Sequence, residues 1–129
     1  LWMNKELGSN IASPVMVKGY IYLCQEGPQT GRGSLRCIDV QQGNIVWEEP
    51  LDKQPISITS AGDKLIILSH RGTLYIAEAT PRGYEEISRC DVLKGEKGAR
   101  QFYTPPVLCN GRIYCRNSIG DLICIDVSK

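Results

Sequence analysis

The stretch Pro106–Val127, PVLCNGRIYCRNSIGDLICIDV, decides how this chain is read. Two strand–turn–strand signals lie back to back in it. Asn110-Gly111 is a dipeptide that tolerates positive φ at both central positions of a tight hairpin, and Val107, Ile113 and Tyr114 flank it. Asn117 to Gly120 supplies a second turn, between Tyr114-Cys115-Arg116 and Leu122-Ile123-Cys124-Ile125. Three short antiparallel strands follow from this spacing.

The same pattern occurs upstream. Pro14, Val15, Gly19, Ile21 and Tyr22 match Pro106, Val107, Gly111, Ile113 and Tyr114 without a gap. Ile58 to Ile66 fits between them as a weaker copy, with Asp63-Lys64 at the turn. Gly33-Ser34-Leu35, Gly72-Thr73-Leu74 and Gly120-Asp121-Leu122 each open an apolar run that closes on an acidic residue, Asp39, Glu78 or Asp126. The anchors Ile21, Leu65 and Ile113 recur at intervals of 44 and 48 residues. A period of about 40–50 residues filled by four short strands is that of a β-propeller blade. A helical repeat is excluded by the frequent turns and the lack of a sustained i, i+3, i+4, i+7 pattern.

The expected fold is therefore all-β: about three blades, each a four-stranded antiparallel sheet, forming part of a larger or assembled propeller. Residues 1–12 read as the end of a preceding blade, with Leu1-Trp2 as the tail of its outer strand. Residues 13–55 and 56–103 read as two blades, and 104–129 as a last blade lacking its outer strand. Gly27–Gly31 is an inserted loop in the first blade, and Lys94–Arg100 is a polar connector. Propeller rings hold about four to eight blades. The remaining blades are thus expected from further sequence or from other copies of the chain. A first residue that is Leu and a missing outer strand read as a trimmed, C-terminal portion.

Charge narrows the partners. Fifteen basic and 14 acidic side chains leave a net charge of +1, which gives no footprint for nucleic acid or an anionic membrane. The longest apolar stretch, Tyr20–Cys24, is far too short to span a bilayer. No signal-peptide pattern opens the chain. None of Cys24, Cys37, Cys90, Cys109, Cys115 and Cys124 shows C-x-x-C spacing, which argues against a metal site. Cys37 and Cys124 share a repeat position and read as small buried fillers, although one or two disulfides stay open.

Individual residues carry local roles. Gly43 suits positive φ in the turn between third and fourth strands, and Asp39 can bond the amides two residues on. Trp47 can stack on a neighbouring blade, and the equivalent Tyr22 and Tyr114 read as blade-packing residues. His70, the one histidine, falls in a turn and reads as exposed. Arg32, Arg71 and Arg112 read as solvated edge charges that could otherwise rim a groove for anions.

Cys37-Ile38-Asp39-Val40-Gln41-Gln42-Gly43-Asn44-Ile45-Val46-Trp47 resembles the tryptophan-docking repeat of the pyrroloquinoline-quinone (quinoprotein-type) propellers, in which Asp, Gly and Trp stand at this spacing. Cys37, Gln42 and Asn44 depart from that pattern, and Thr80-Pro81-Arg82-Gly83-Tyr84 replaces the docking turn in the second blade. WD-type repeats fit worse, since Gly-His and Trp-Asp pairs are missing. The resemblance implies a periplasmic or extracellular location. It also implies either a non-catalytic binding scaffold for a protein or an extracellular polymer, or a portion of a quinone-dependent dehydrogenase, or a sensor propeller attached to another enzyme domain. The dehydrogenases similar to this pattern use calcium, an Asp base and often a disulfide between adjacent cysteines, and no adjacent pair occurs here. Asp39, Asp52, Asp63, Asp91, Asp121 and Asp126 are the aspartates at hand, and the repeat-equivalent Asp39 and Asp126 read as turn builders. No catalytic, cofactor-binding or metal-ligating residue is assigned, and no cofactor is expected.

Overall fold

The computed structural model describes residues 1–9, 12–25, 33–52, 56–92 and 101–128. Their regular structure is all strand, in three antiparallel sheets. The first holds β1 (Val15–Val17), β2 (Tyr20–Gln25), β3 (Ser34–Asp39) and β4 (Ile45–Pro50), in that spatial order. The second holds β5 (Ile56–Ala61), β6 (Lys64–Ser69), β7 (Thr73–Glu78) and β8 (Glu86–Asp91). The third holds β9 (Val107–Cys109), β10 (Arg112–Arg116) and β11 (Leu122–Asp126). No helix long and apolar enough to cross a membrane occurs among the described residues.

The turns explain why neighbouring strands pair. Lys18 and Gly19 take φ of 49° and 82°, and Asn110 and Gly111 take 49° and 70°. Positive φ at both positions matches the right-handed twist of the strands a hairpin joins. In the second sheet the turn is Gly62-Asp63 rather than Asp63-Lys64, and Lys64 already belongs to β6. The positive φ of 59° falls on Gly62, the residue that takes it without a Cβ clash.

One hydrogen bond recurs in every sheet. The residue after the third strand donates its amide back to the first hairpin: Val40 to Gly19, Ala79 to Asp63 and Val127 to Gly111, at 3.2, 2.8 and 2.8 Å. The ladders of the first two sheets also shift register at the same repeat position, between Cys37 and Ile38 and between Ile76 and Ala77. A bulge there adds twist to the sheet.

The sheets stack because each strand presents alternate residues to opposite faces. Tyr22, Cys24, Leu35 and Cys37 of the first sheet share a core with Ile56, Ile58, Leu65, Ile67, Tyr75 and Ala77 of the second. The opposite face of the second sheet, Ile66, Leu68 and Leu74, shares a core with Ile113 and Cys115 of the third, and Phe102 completes it. So the middle sheet is buried on both faces, and two separate cores result. Polar bonds tie the same seams: the Ile56 amide donates to Cys24 Sγ at 3.2 Å, and Thr59 Oγ1 donates to the Pro106 carbonyl at 2.6 Å.

Three expectations need correction. Residues 1–8 form no strand; Trp2 and Asn4 are held by their side chains, which donate to the Val40 and Gly43 carbonyls at the turn after β3. Cys124 is exposed, whereas Cys37 at the same repeat position is fully buried. The second sheet covers the face that carries Cys37, and among the described residues no sheet covers the face that carries Cys124. His70 is buried and is treated below. Gly27–Gly31, Arg32 and the Lys94–Arg100 connector lie outside the described residues.

Candidate functional site

Each blade has two ends. One carries the hairpins at Gly19, Gly62 and Gly111 together with the turns that follow the third strands. The other carries the connections between second and third strands and those between successive sheets.

At the hairpin end, Asp39 behaves as its sequence position suggests. Its Oδ1 accepts the amides of Gln41 and Gln42 at 2.7 and 3.1 Å, and Gly43 takes φ of 73°. Asp126 repeats the device: its Oδ1 accepts the Ser128 hydroxyl at 2.5 Å and the Ser128 amide at 2.9 Å, and these bonds hold its carboxyl below the usual carboxylate range. Asp63 is held low by Lys64, whose Nζ lies 2.8 Å away and also reaches Glu78 at 3.1 Å. A cleft of about 290 Å³ lies between Lys18, Tyr20, Asp39 and Gln41.

Tryptophans dock over these turns. Trp47 donates Nε1–H to the Thr80 carbonyl at 2.9 Å and packs between Tyr22 and Tyr84, with ring centroids 6.0 and 6.4 Å away. Trp2 donates Nε1–H to the Val40 carbonyl at 2.6 Å and rests on Gly43. The two tryptophans are 45 residues apart, one repeat.

The other end carries a corner that the sequence did not reveal. His70 is 6% exposed, not an open turn residue. Its carbonyl accepts the Phe102 amide at 3.1 Å, and its ring meets Tyr103 edge-on at 4.9 Å. Phe102 sits against Gly72, where φ of 90° and the ring at 2.8 Å leave no room for a β-carbon. Beside this corner Tyr103, Thr104, Arg116, Asn117 and Ser118 line a cleft of about 160 Å³. Asn117 is spent on its own turn: Oδ1 accepts the amides of Ile119 and Asp121, and Nδ2 donates to Asp121. Tyr103, Thr104, Arg116 and Ser118 remain exposed. The one sequence signal for this cleft is Tyr103-Thr104 directly ahead of the Pro105-Pro106 pair. Arg71 is exposed at this end, while Arg112 opens β10 at the hairpin end, so these two do not rim a common groove.

Burial pushes Cys37 and Cys115 up to about 11 and raises Cys90. No disulfide joins any of the six cysteines.

A quinone with calcium, the group that the dehydrogenases of this fold use, does not fit the described residues. Enclosing sites for such ligands are about 300–1,000 Å³; the Tyr103 cleft, about 160 Å³, falls well short, and the Lys18 cleft, about 290 Å³, stands at the bottom of that range. No three His, Cys, Asp or Glu side chains converge among the described residues. Asp39 and Asp126 each spend Oδ1 on their own turn.

No protein-family model and no curated protein matches the chain. Solved structures do. A quinohemoprotein alcohol dehydrogenase from Pseudomonas putida aligns over 97% of this chain and 20% of its own, with TM-score 0.70 and 17% identity. A quinohemoprotein alcohol dehydrogenase from Comamonas testosteroni aligns over 88% of this chain and 18% of its own, with TM-score 0.64 and 18% identity. A computationally designed protein aligns over 92% of this chain and 34% of its own, with TM-score 0.65 and 14% identity. The chain thus spans about a fifth of the length of the two dehydrogenases. At these identities the likeness is one of fold: the three sheets are β-propeller blades, folded like the matched parts of those dehydrogenases.

Proposed function

We propose that this chain is a non-catalytic propeller segment that binds a protein or an extracellular polymer through the end carrying Tyr103, Thr104, Arg116 and Ser118. One observation carries the reading. Asp39 and Asp126 accept amides of their own turns and no three His, Cys, Asp or Glu side chains converge among the described residues, while an exposed aromatic, Tyr103, and an exposed cation, Arg116, line a cleft. Aromatic and arginine side chains are the residues that anchor protein interfaces. The periplasmic or extracellular location that the resemblance implies goes with this role.

The alternative, a portion of a quinone-dependent dehydrogenase, has the fold likeness behind it and the donor set against it. Two measurements separate them. Tyr103→Ala with Arg116→Ala should leave the circular dichroism spectrum unchanged and abolish retention on a panel of immobilised envelope proteins and polysaccharides, while Arg71→Ala retains it. Addition of pyrroloquinoline quinone and calcium should give no saturable quinone absorbance and no alcohol-dependent dye reduction. Saturable quinone binding with turnover would establish the dehydrogenase reading instead.

A further inference from the structure

The hairpin end carries the same cross-strand pair in each blade, and the first blade departs from its chemistry. The residue that opens the second strand stands directly opposite the acidic residue that closes the third: Lys64 opposite Glu78, Arg112 opposite Asp126, and Tyr20 opposite Asp39. Opposite charges facing each other across a ladder stabilise a sheet. The second blade makes the ion pair, with Lys64 Nζ 3.1 Å from Glu78. In the first blade a phenol stands where the other two carry a cation.

Asp39 is thereby left with unused capacity. Its Oδ1 accepts the amides of Gln41 and Gln42, which fixes the carboxylate in place. An ionised carboxylate has about four acceptor sites. Oδ2 and the Tyr20 hydroxyl have no hydrogen-bond partner among the described residues. The cleft of about 290 Å³ opens beside this pair, and Lys18 is the only cation lining it. Lys18 makes no ion pair with Asp39. Its charge acts across the seam on Asp63, whose carboxyl is held low chiefly by Lys64 and in smaller part by Lys18.

We infer that this cleft binds an alkylammonium group, with Asp39 Oδ2 as its counter-ion and Tyr20 beside it, in the place that Lys64 Nζ fills against Glu78 in the second blade. An ammonium head carries three donors and no acceptor, so it needs the carboxylate and phenol oxygens found here. The face of an aromatic ring adds attraction for a cation. Two sources supply such a group: a small free amine and the lysine side chain of a protein. The cleft lies at the opposite end of the blades from Tyr103, so the two sites are independent.

Amide NMR titration of the full chain tests it, with butylammonium chloride and Nα-acetyl-lysine methylamide as the two probes. Saturable shifts of the Gly19, Gln41 and Gln42 amides are expected with one or both, and the tighter probe identifies the source. Butyrate and the Nε-acetylated lysine derivative should give none. Asp39→Asn keeps an oxygen for the Gln41 and Gln42 amides but removes the charge. It should weaken binding about tenfold, the loss that one charge-assisted bond gives. Tyr20→Lys supplies the cation from the chain itself and should abolish binding. Lys18→Asn copies the Asn110-Gly111 hairpin of the third blade and removes a like charge, so it should leave ammonium binding intact or strengthen it. Circular dichroism checks that each variant is folded. No shift with either amine overturns the inference, as does binding unchanged in Asp39→Asn. Butyrate binding that Lys18→Asn removes also overturns it, by making the cleft an anion site.

Discussion

The indole of Trp2 lies so close to Gly43 that a β-carbon built on the glycine would stand 2.3 Å from Cδ2. The contact explains two features at once. Gly43 needs φ of 73° for its turn, and its bare α-carbon is also the seat of an aromatic ring one repeat upstream of Trp47.

Gly43→Ala should therefore cost more than its backbone. Gly19 has a comparable φ of 82° and open space where a β-carbon would go. Alanine in the left-handed region costs about 1–2 kcal/mol at either turn. Gly43→Ala must additionally expel Trp2 and break its bond to Val40. Urea denaturation should show Gly43→Ala as the more destabilising change. In a Trp2→Ala background the two glycine substitutions should cost the same.

Trp47 separates packing from hydrogen bonding. Trp47→Phe keeps a ring between Tyr22 and Tyr84 but loses the bond to the Thr80 carbonyl, and should cost about 1 kcal/mol. Trp47→Ala opens the seam between the first and second blades. Because the indole is half-buried, the cost should sit near the lower end of the range for such truncations, about 3 kcal/mol. Equal losses for the two variants would show that the ring contributes nothing to the seam.

Tyr22 makes the opposite forecast. Its hydroxyl is buried without an oxygen or nitrogen partner, with the Cys37 thiol as its neighbour, and burial raises its pKa. Removing a polar group that already lacks a full partner is close to neutral or stabilising. Tyr22→Phe should change the unfolding free energy by less than about 1 kcal/mol, whereas Tyr22→Ala should be strongly destabilising. Denaturant titrations of both check this.

The buried thiols set an alkaline limit. Burial raises Cys37 and Cys115 from 9.0 to about 11, so the folded state holds their protons more tightly than the unfolded state. Stability from this source is fully present below about pH 9 and is lost as pH rises through about 11. Thermal melts should fall across that window, and Cys37→Ala with Cys115→Ala should flatten the fall.

Strands and turns were legible because their causes are local. Period-two alternation, Asn110-Gly111 and the Asp39–Gly43 spacing are enough to place β1–β4 and β9–β11. What was missed depends on distant chain. His70 is buried by Phe102 and Tyr103, some thirty residues on, and no local pattern announces that contact. Cys124 was misjudged because equivalence within a repeat predicts which face a residue takes, not whether another blade covers it. Trp2 stands one repeat before Trp47, but that spacing alone does not make residues 1–8 a strand, since a strand also needs a partner ladder in register. The cleft beside Tyr103 is assembled from a connector and the β10–β11 turn, and neither reads as a site alone.

The central claim is that successive repeats of about 45 residues form separate sheets, with the middle one buried on both faces. Methyl NOE spectroscopy tests it directly. Leu65 and Ile67 should show contacts to Leu35 of the first blade, Ile66 and Leu68 should show contacts to Ile113 of the third, and Leu35 should show none to Ile113. A single network joining Leu35 to Ile113, as one continuous barrel or core would give, would contradict it.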